Sequence, residues 1–80
     1  MKEGTICKVI YKEIGEPQHS WLNGYIVRIF SDIRKRTSHN YVAIRILRDR
    51  KGNDIENTKP IYIIPEELLI PVELLKLEIL

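Results

Sequence analysis

The sequence holds very little that supports metal, disulfide or thiol chemistry. Its 80 residues include one cysteine, Cys7, and two histidines, His19 and His39. A single cysteine excludes an internal disulfide framework, so we expect a reducing, cytoplasmic location. Zinc sites usually show C-x-x-C or H-x₃-H spacing, and neither is present. We expect Cys7 to pack as a small core residue and the histidines to lie in solvated loops.

Catalytic constellations and long apolar runs are also missing. His19 and Ser20 are neighbours, and no nearby aspartate orients the imidazole as an activated nucleophile requires. Glu66 and Glu67 are explained by the start of a helical turn. No glycine-rich phosphate loop, no signal-peptide core and no apolar run of roughly 18 residues is found. We therefore expect no enzyme activity, no cofactor, no metal and no membrane association.

The sequence does contain a succession of short β-strand patterns. Apolar residues alternating with a period of two predict strands over residues 5–12, 25–30, 41–48, 59–64 and 70–72. Between them we expect loops over 13–20 and 31–40, a Gly-Asn hairpin turn over 49–54, and a single 3₁₀ turn over 65–68. The alternation also predicts which residues share one face of a strand: Cys7, Val9 and Tyr11; Tyr25, Val27 and Ile29; Val42, Ile44 and Ile46.

The last eight residues, 73–80, have two interpretations. They alternate like a strand, yet every residue type in them except isoleucine also forms helices well. We expect them to extend the last strand, with a short helix as the alternative. Their five large apolar side chains exceed what a small domain needs to cover itself, which suggests a homodimer or burial in a larger complex.

Two local patterns carry a resemblance to a known fold. One is Gly4, Cys7 and Val9 followed by Trp-Leu-Asn-Gly-Tyr-Ile-Val at residues 21–27, and the other is Ile-Ile-Pro-Glu-Glu-Leu-Leu at residues 63–69. With the strand order they resemble the five-stranded SH3-like barrel over residues 4–72. The patterns are similar to small accessory chains of photosystem I and of ferredoxin–thioredoxin reductase (its variable chain), and KOW and Tudor-like domains share the layout. The resemblance implies an all-β domain over 1–72 that binds and does not catalyse.

The charge is unevenly distributed along the chain. The formal net charge is +2, but residues 28–51 hold eight basic and two acidic residues, a net charge of +6. Such a concentration favours contact with an acidic partner. Arg28 and Arg45 are expected to pair on the outer side of adjacent strands, and the remaining cations to lie at opposite ends of the third strand. The predicted binding residues are Arg28, Arg34, Lys35, Arg36, Arg45, Arg48, Arg50 and Lys51, with the aromatic residues Trp21 and Tyr41.

Two functions remain open from the sequence. The first is a small adaptor or accessory subunit that docks an acidic protein through the basic residues. The second is a KOW-like domain that contacts RNA or DNA phosphates and stacks a base on Trp21 or Tyr41. We favour the adaptor, because the sequence pI of about 8.8 is low for a nucleic-acid-binding domain and no aromatic residue interrupts the Arg34–Arg36 run.

Overall fold

The chain forms an all-β protein in which five strands pair antiparallel in one sheet. The computed structural model describes residues 3–13, 17–36, 39–55 and 59–73. The strands are β1 (Ile6–Val9), β2 (Ile26–Arg36), β3 (His39–Arg48), β4 (Tyr62–Pro65) and β5 (Leu69–Pro71), in the order β4-β3-β2-β1-β5. Among the described residues the sheet is open, and β4 and β5 are its edges. The all-β class is as predicted.

The central ladder joins β2 to β3 and is much longer than the sequence predicted. Residues 31–40 were expected to be a polar loop, and this is wrong. Ser31 pairs with Ala43, Ile33 with Tyr41 and Arg36 with His39, so only residues 37 and 38 separate the two strands. Cross-strand hydrogen bonds satisfy the backbone of these residues whatever their polarity, which is why polar composition misled the prediction.

Two of the connections between strands contain a short 3₁₀ helix. The helix Glu66–Leu68 lies between β4 and β5, and this is the turn that the proline followed by two glutamates predicted. The other 3₁₀ helix, Pro17–Leu22, comes first in the chain. It begins in the segment 13–20, which was expected to be an irregular loop. Proline at its first position has the fixed φ angle that a helical turn requires, which is the signal that the prediction overlooked. It carries Leu22 into the core.

Prolines mark both edge strands. β4 begins at Tyr62, two residues after Pro60, and ends at Pro65. β5 ends at Pro71, and the next two residues, Val72 and Glu73, have helical backbone geometry. Proline lacks the N–H that another strand would bind, so both edges are short and protected. The predicted extension over residues 73–80 lies, from residue 74 onward, outside the described residues.

The hydrophobic core is built from the inward sides of the strands and from both 3₁₀ helices. Cys7 and Val9 are fully buried, which confirms Cys7 as a core residue. Burial raises the pKa of the Cys7 thiol, so the side chain stays protonated at neutral pH. Each fully buried valine, leucine or isoleucine side chain of the core contributes about 1.5–3 kcal/mol to the stability of the fold. The core residues are Cys7, Val9, Leu22, Val27, Ile29, Val42, Ile44, Ile46, Ile64, Leu68 and Leu69.

Candidate interaction surface

The side of the sheet opposite the core carries two arginines on adjacent strands. Arg28 of β2 is the register partner of Arg45 of β3, and Ile6 of β1 is the register partner of Arg28 on its other side. Their chain neighbours Val27, Ile29, Ile44 and Ile46 point into the core, so this row points away from it. We call Ile6, Arg28, Phe30, Arg45 and Leu47 the outer face. The pairing of Arg28 with Arg45 was predicted and is confirmed.

Phe30 reaches this face through an irregularity in the ladder. Ile29 pairs with Ile44 and Ser31 pairs with Ala43, so Phe30 has no partner on β3. An extra residue of this kind bends the strand and redirects a side chain. The ring of Phe30 is 46% exposed, and the Cζ atom of Arg45 lies over it, 4.4 Å from the ring centroid. This distance is within the range of a cation–π interaction, which holds the Arg45 guanidinium against the sheet.

Neither arginine forms an ion pair within the described part of the chain, although Glu3 lines the same cavity. No hydrogen bond or ion pair joins either guanidinium to another described residue, and the Nε of Arg45 is buried without an acceptor. Like charges directly opposite each other on a sheet repel, and an unpaired buried donor adds a desolvation cost. The outer face is therefore electrostatically unsatisfied, and an anion would relieve both effects.

A cavity opens beside the two arginines. Its volume is about 350 Å³, and it is lined by Glu3, Gly4, Arg28, Ile29, Phe30, Arg45 and Leu47. Gly4 closes one side, since its N–H donates to the carbonyl of Ile29 at 2.7 Å. The walls at Phe30 and Leu47 are apolar, and Glu3 is the single acid in the lining. The volume suits one or two side chains and is at the lower end of the range for small-molecule pockets.

A second group of charged residues surrounds the turn after β3, and here the charges are paired. The Nε of Arg48 donates to Oδ1 of Asp54 at 3.1 Å, and the strand continues briefly as a bridge between the same two residues. Asp49 accepts hydrogen bonds from the backbone N–H groups of Lys51 (2.8 Å) and Asn53 (2.9 Å). These bonds to the carboxylate lower the pKa of Asp49. We call residues 48–54 the distal turn.

Arg50 of the distal turn is tied to an aromatic cluster. Its Nη2 donates to the carbonyl oxygen of Trp21 at 3.1 Å, and its Cζ lies 5.8 Å from the ring centroid of Tyr25. Trp21 contacts the rings of Tyr25 and Tyr62 edge to face, each with centroids 5.5 Å apart. Tyr25 and Tyr62 pack against the core, whereas Trp21 is 41% exposed. Leu22, and not Trp21, fills the interior.

The structure divides the predicted binding residues into separate groups. Arg28 and Arg45 lie on the outer face, while Arg48, Arg50, Lys51 and Trp21 lie at the distal turn. Arg34, Lys35 and Arg36 belong to β2 at the other end of its ladder with β3, and their side chains lie outside the described residues. Arg36 pairs with His39 whereas Ile26 pairs with Arg48, so the two basic clusters are at opposite ends, as predicted. Tyr41 is half-buried.

Three members of the outer face were not predicted as binding residues. Phe30 shares the outward parity of Arg28 in its strand, and that parity was a usable signal. Leu47 shares the parity of Arg45 in the same way. Ile6 is 42% exposed because it falls on the outward side of β1. The bulge that brings Phe30 against Arg45 has no signal in the sequence, since strand register decides it.

Two further kinds of site were sought among the described residues. No three His, Cys, Asp or Glu side chains come together as metal ligands within that part of the chain. His19 lies half-buried in the first 3₁₀ helix instead of a solvated loop, because that helix packs its neighbour Leu22 into the core. None of the described helices is long and apolar enough to span a membrane.

Comparisons with protein-family models, with curated proteins and with solved structures find no match to this chain.

Proposed function

We propose that this chain is a non-catalytic binding domain, an adaptor or accessory subunit that docks an acidic protein through its outer face. The observation that carries the proposal is the row Ile6, Arg28 and Arg45, in which two arginines that form no ion pair with a described residue stand beside exposed apolar side chains. Protein interfaces are enriched in arginine and aromatic residues, and their cores combine apolar contact with a few specific polar groups. Arg45 held on Phe30 has this character.

The arrangement supports a protein partner better than a nucleic acid. Binding to nucleic-acid phosphates depends mainly on several cations placed along a path. At the distal turn Arg48 is already bound to Asp54, and Arg50 to the carbonyl of Trp21. On the outer face Arg28 and Arg45 have no such internal partner among the described residues, and they alternate with Ile6, Phe30 and Leu47. Such a surface fits an acidic segment that also presents apolar side chains.

The proposal includes the SH3-like fold that the sequence resembles. Its support is the strand order, in which β5 returns to pair with β1 after a single 3₁₀ turn. The N–H of Ile10 donates to the carbonyl of Leu68 at 2.7 Å, which holds the 3₁₀ turn against the end of β1. In a barrel of this kind the core side faces inward, and the outer face is left for a partner.

Site-specific photo-crosslinking tests the adaptor function. A photoreactive phenylalanine analogue replaces Phe30 in cells of the natural host, and the same analogue at Asp54, also exposed, is the control. We expect the variant at position 30 to form an adduct with one protein, with the crosslink in a segment rich in Asp and Glu. Absence of such an adduct, or equal adducts from position 54, contradicts the proposal.

A gel shift at several salt concentrations separates the nucleic-acid alternative. A mixture of single- and double-stranded RNA and DNA is added to the purified chain, with a variant in which Arg34, Lys35 and Arg36 are all changed to Gln. Our proposal predicts no shifted band at about 150 mM salt. A band that weakens steeply with salt and vanishes in the triple variant would identify a nucleic-acid-binding domain instead.

The C-terminal segment is a second contact candidate, for a second copy of the chain. Val72 lines a cavity of about 260 Å³ with Ile6, Ile26, Leu47 and Arg48, so the chain leaves β5 beside apolar residues of the outer face. If residues 74–80 join two copies, deleting them reduces the mass measured by light scattering from dimer to monomer. A deletion that leaves both the mass and the melting temperature unchanged contradicts this assignment.

A further inference from the structure

The two arginines of the outer face are arranged to hold one planar anion. They are direct cross-strand partners, and the Cβ atoms of such pairs are about 5 Å apart, which brings both guanidinium groups within reach of a single ligand. Arginine presents its N–H groups as a planar fork that matches the two oxygens of a carboxylate. The contact with Phe30 fixes Arg45 before any ligand arrives, which reduces the ordering cost of binding.

The surroundings select among anions. The cavity has room for one or two side chains, and Phe30 and Leu47 give it apolar walls. A free inorganic anion would leave these walls in contact with water, whereas a peptide carboxylate brings apolar neighbours that cover them. Glu3 also lines the cavity, and its carboxylate disfavours an anion of more than one charge, because the repulsion grows with the charge of the ligand.

We propose that the cavity between Arg28 and Arg45 is a carboxylate pocket, which receives one Glu or Asp side chain flanked by a large apolar residue in the partner protein. This inference rests on the proposed function and defines the chemistry of its contact. The carboxylate joins both guanidinium groups, and the flanking side chain packs on Phe30 and Leu47. The pocket thus accounts for the repulsion between the two arginines and for the exposed ring of Phe30.

Selection from a random-peptide library displayed on phage tests the pocket. The purified full chain is the bait, and the selected sequences are read directly. We expect an enriched motif in which Asp or Glu has a large apolar neighbour, and we expect replacement of that acid by Asn or Gln to weaken the synthetic peptide about tenfold or more. Selected peptides that lack an acid, or no enrichment at all, overturn the pocket, whereas the crosslink from position 30 tests the proposed function independently.

Charge-matched variants then locate the binding site. Arg28→Gln and Arg45→Gln should each weaken the selected peptide about tenfold. Arg48→Gln removes the same charge at the distal turn and should change the affinity less than about twofold, as expected for a cation outside the contact. Arg45→Lys keeps the charge but loses the planar fork, so its affinity should fall between those of the native chain and Arg45→Gln.

The outcomes separate the pocket from the broader function. If acidic peptides bind but Arg48→Gln weakens them as much as Arg28→Gln and Arg45→Gln do, the pocket is wrong while docking of acidic proteins stands. Displacement of the bound peptide by a mixed oligonucleotide at equal charge concentration would overturn both. Melting temperatures within a few degrees of the native chain show that each variant is folded.

Discussion

Two arginine-bearing regions of this small protein differ in how their charges are satisfied. At the distal turn, Arg48 binds Asp54 and Arg50 binds the carbonyl of Trp21, so both cations have partners within the fold. On the outer face, Arg28 and Arg45 stand opposite each other without an acceptor among the described residues. The same residue type is structural in one region and available to a partner in the other.

The difference arises from what lies near each arginine in the folded chain. The distal turn has Asp49 and Asp54 within the same short segment, so its carboxylates and cations meet through local geometry. Arg28 and Arg45 come together only because β2 and β3 pair in a particular register. A basic cluster in a sequence therefore does not by itself identify a binding surface, since partners inside the fold decide which cations are free to bind.

The largest effect is expected from disturbing the close approach at the distal turn. Gly24 has φ +87°, and an added Cβ would lie 3.1 Å from the Cβ of Arg50. Gly24→Ala should therefore lower the free energy of unfolding by about 2–3 kcal/mol through backbone strain and crowding. Urea denaturation followed by tryptophan fluorescence measures this loss.

Gly52 provides the matched control for that substitution. Its φ is +89°, nearly the same, but nothing lies within 4 Å of an added Cβ. Gly52→Ala should cost only the backbone contribution, about 1 kcal/mol. Equal losses of unfolding free energy for the two variants would show that the added Cβ at position 24 is accommodated and that the close approach of Arg50 is not required.

A smaller effect should separate the two regions by stability alone. Arg50→Gln removes the hydrogen bond to Trp21 and should cost about 1 kcal/mol of unfolding free energy. Arg28→Gln removes one member of a repelling pair and should leave that free energy unchanged or raise it by a few tenths of a kcal/mol. Urea denaturation at low salt compares them. If Arg28→Gln destabilises as much as Arg50→Gln, the outer-face arginines are structural and the comparison fails.

Much of the fold could be predicted because apolar alternation reports burial directly. Val42, Ile44 and Ile46 alternate, and all three are buried in the core. The extension of β2 beyond Phe30 could not be predicted from polarity, because residues 31–33 and Arg36 pair with β3 through their backbones. The 3₁₀ turn at Glu66–Leu68 could be predicted because it depends only on neighbouring residues, a proline followed by two glutamates.

The candidate site was only partly predictable, and the reason is register. Parity within each strand placed Arg28 and Arg45 on the outward side, and their pairing followed from adjacent strands. The contact between Phe30 and Arg45 depends on the bulge in β2, where Phe30 has no partner on β3. This bulge changes the partner of every later residue of the strand. Arg48 and Arg50 were predicted as binding residues, yet the fold gives each an internal partner. For Arg48 it is Asp54 of the same turn, and for Arg50 it is the carbonyl of Trp21, which is distant in the sequence.

The smallest effect, and a way to sharpen the comparison, is the pH dependence of the distal turn. The pKa of Asp49 is lowered because its carboxylate accepts hydrogen bonds from the N–H groups of Asn53 and Lys51. In the unfolded chain an aspartate has a pKa of about 3.9, so there the proton binds more readily than in the folded chain. The stability that Asp49 contributes is present above that value and is lost as the pH falls through the lower pKa of the folded state.

Melting temperatures measured between pH 7 and pH 3 should therefore show that the contribution of Asp49 to stability depends on pH. Asp49→Asn removes the titrating group, so the difference in melting temperature between the native chain and this variant should shrink as the pH falls below about 4. Asp54→Asn removes a like charge from the same turn together with its ion pair to Arg48, and is the comparison for a carboxylate bound by a side chain instead of by backbone N–H groups. A difference between the native chain and Asp49→Asn that stays constant from pH 7 to pH 3 would mean that the hydrogen bonds to this carboxylate do not stabilise the turn. The paired character of the distal turn would then rest on Arg48 and Arg50 alone, and the contrast with the outer face would be weaker than the geometry indicates.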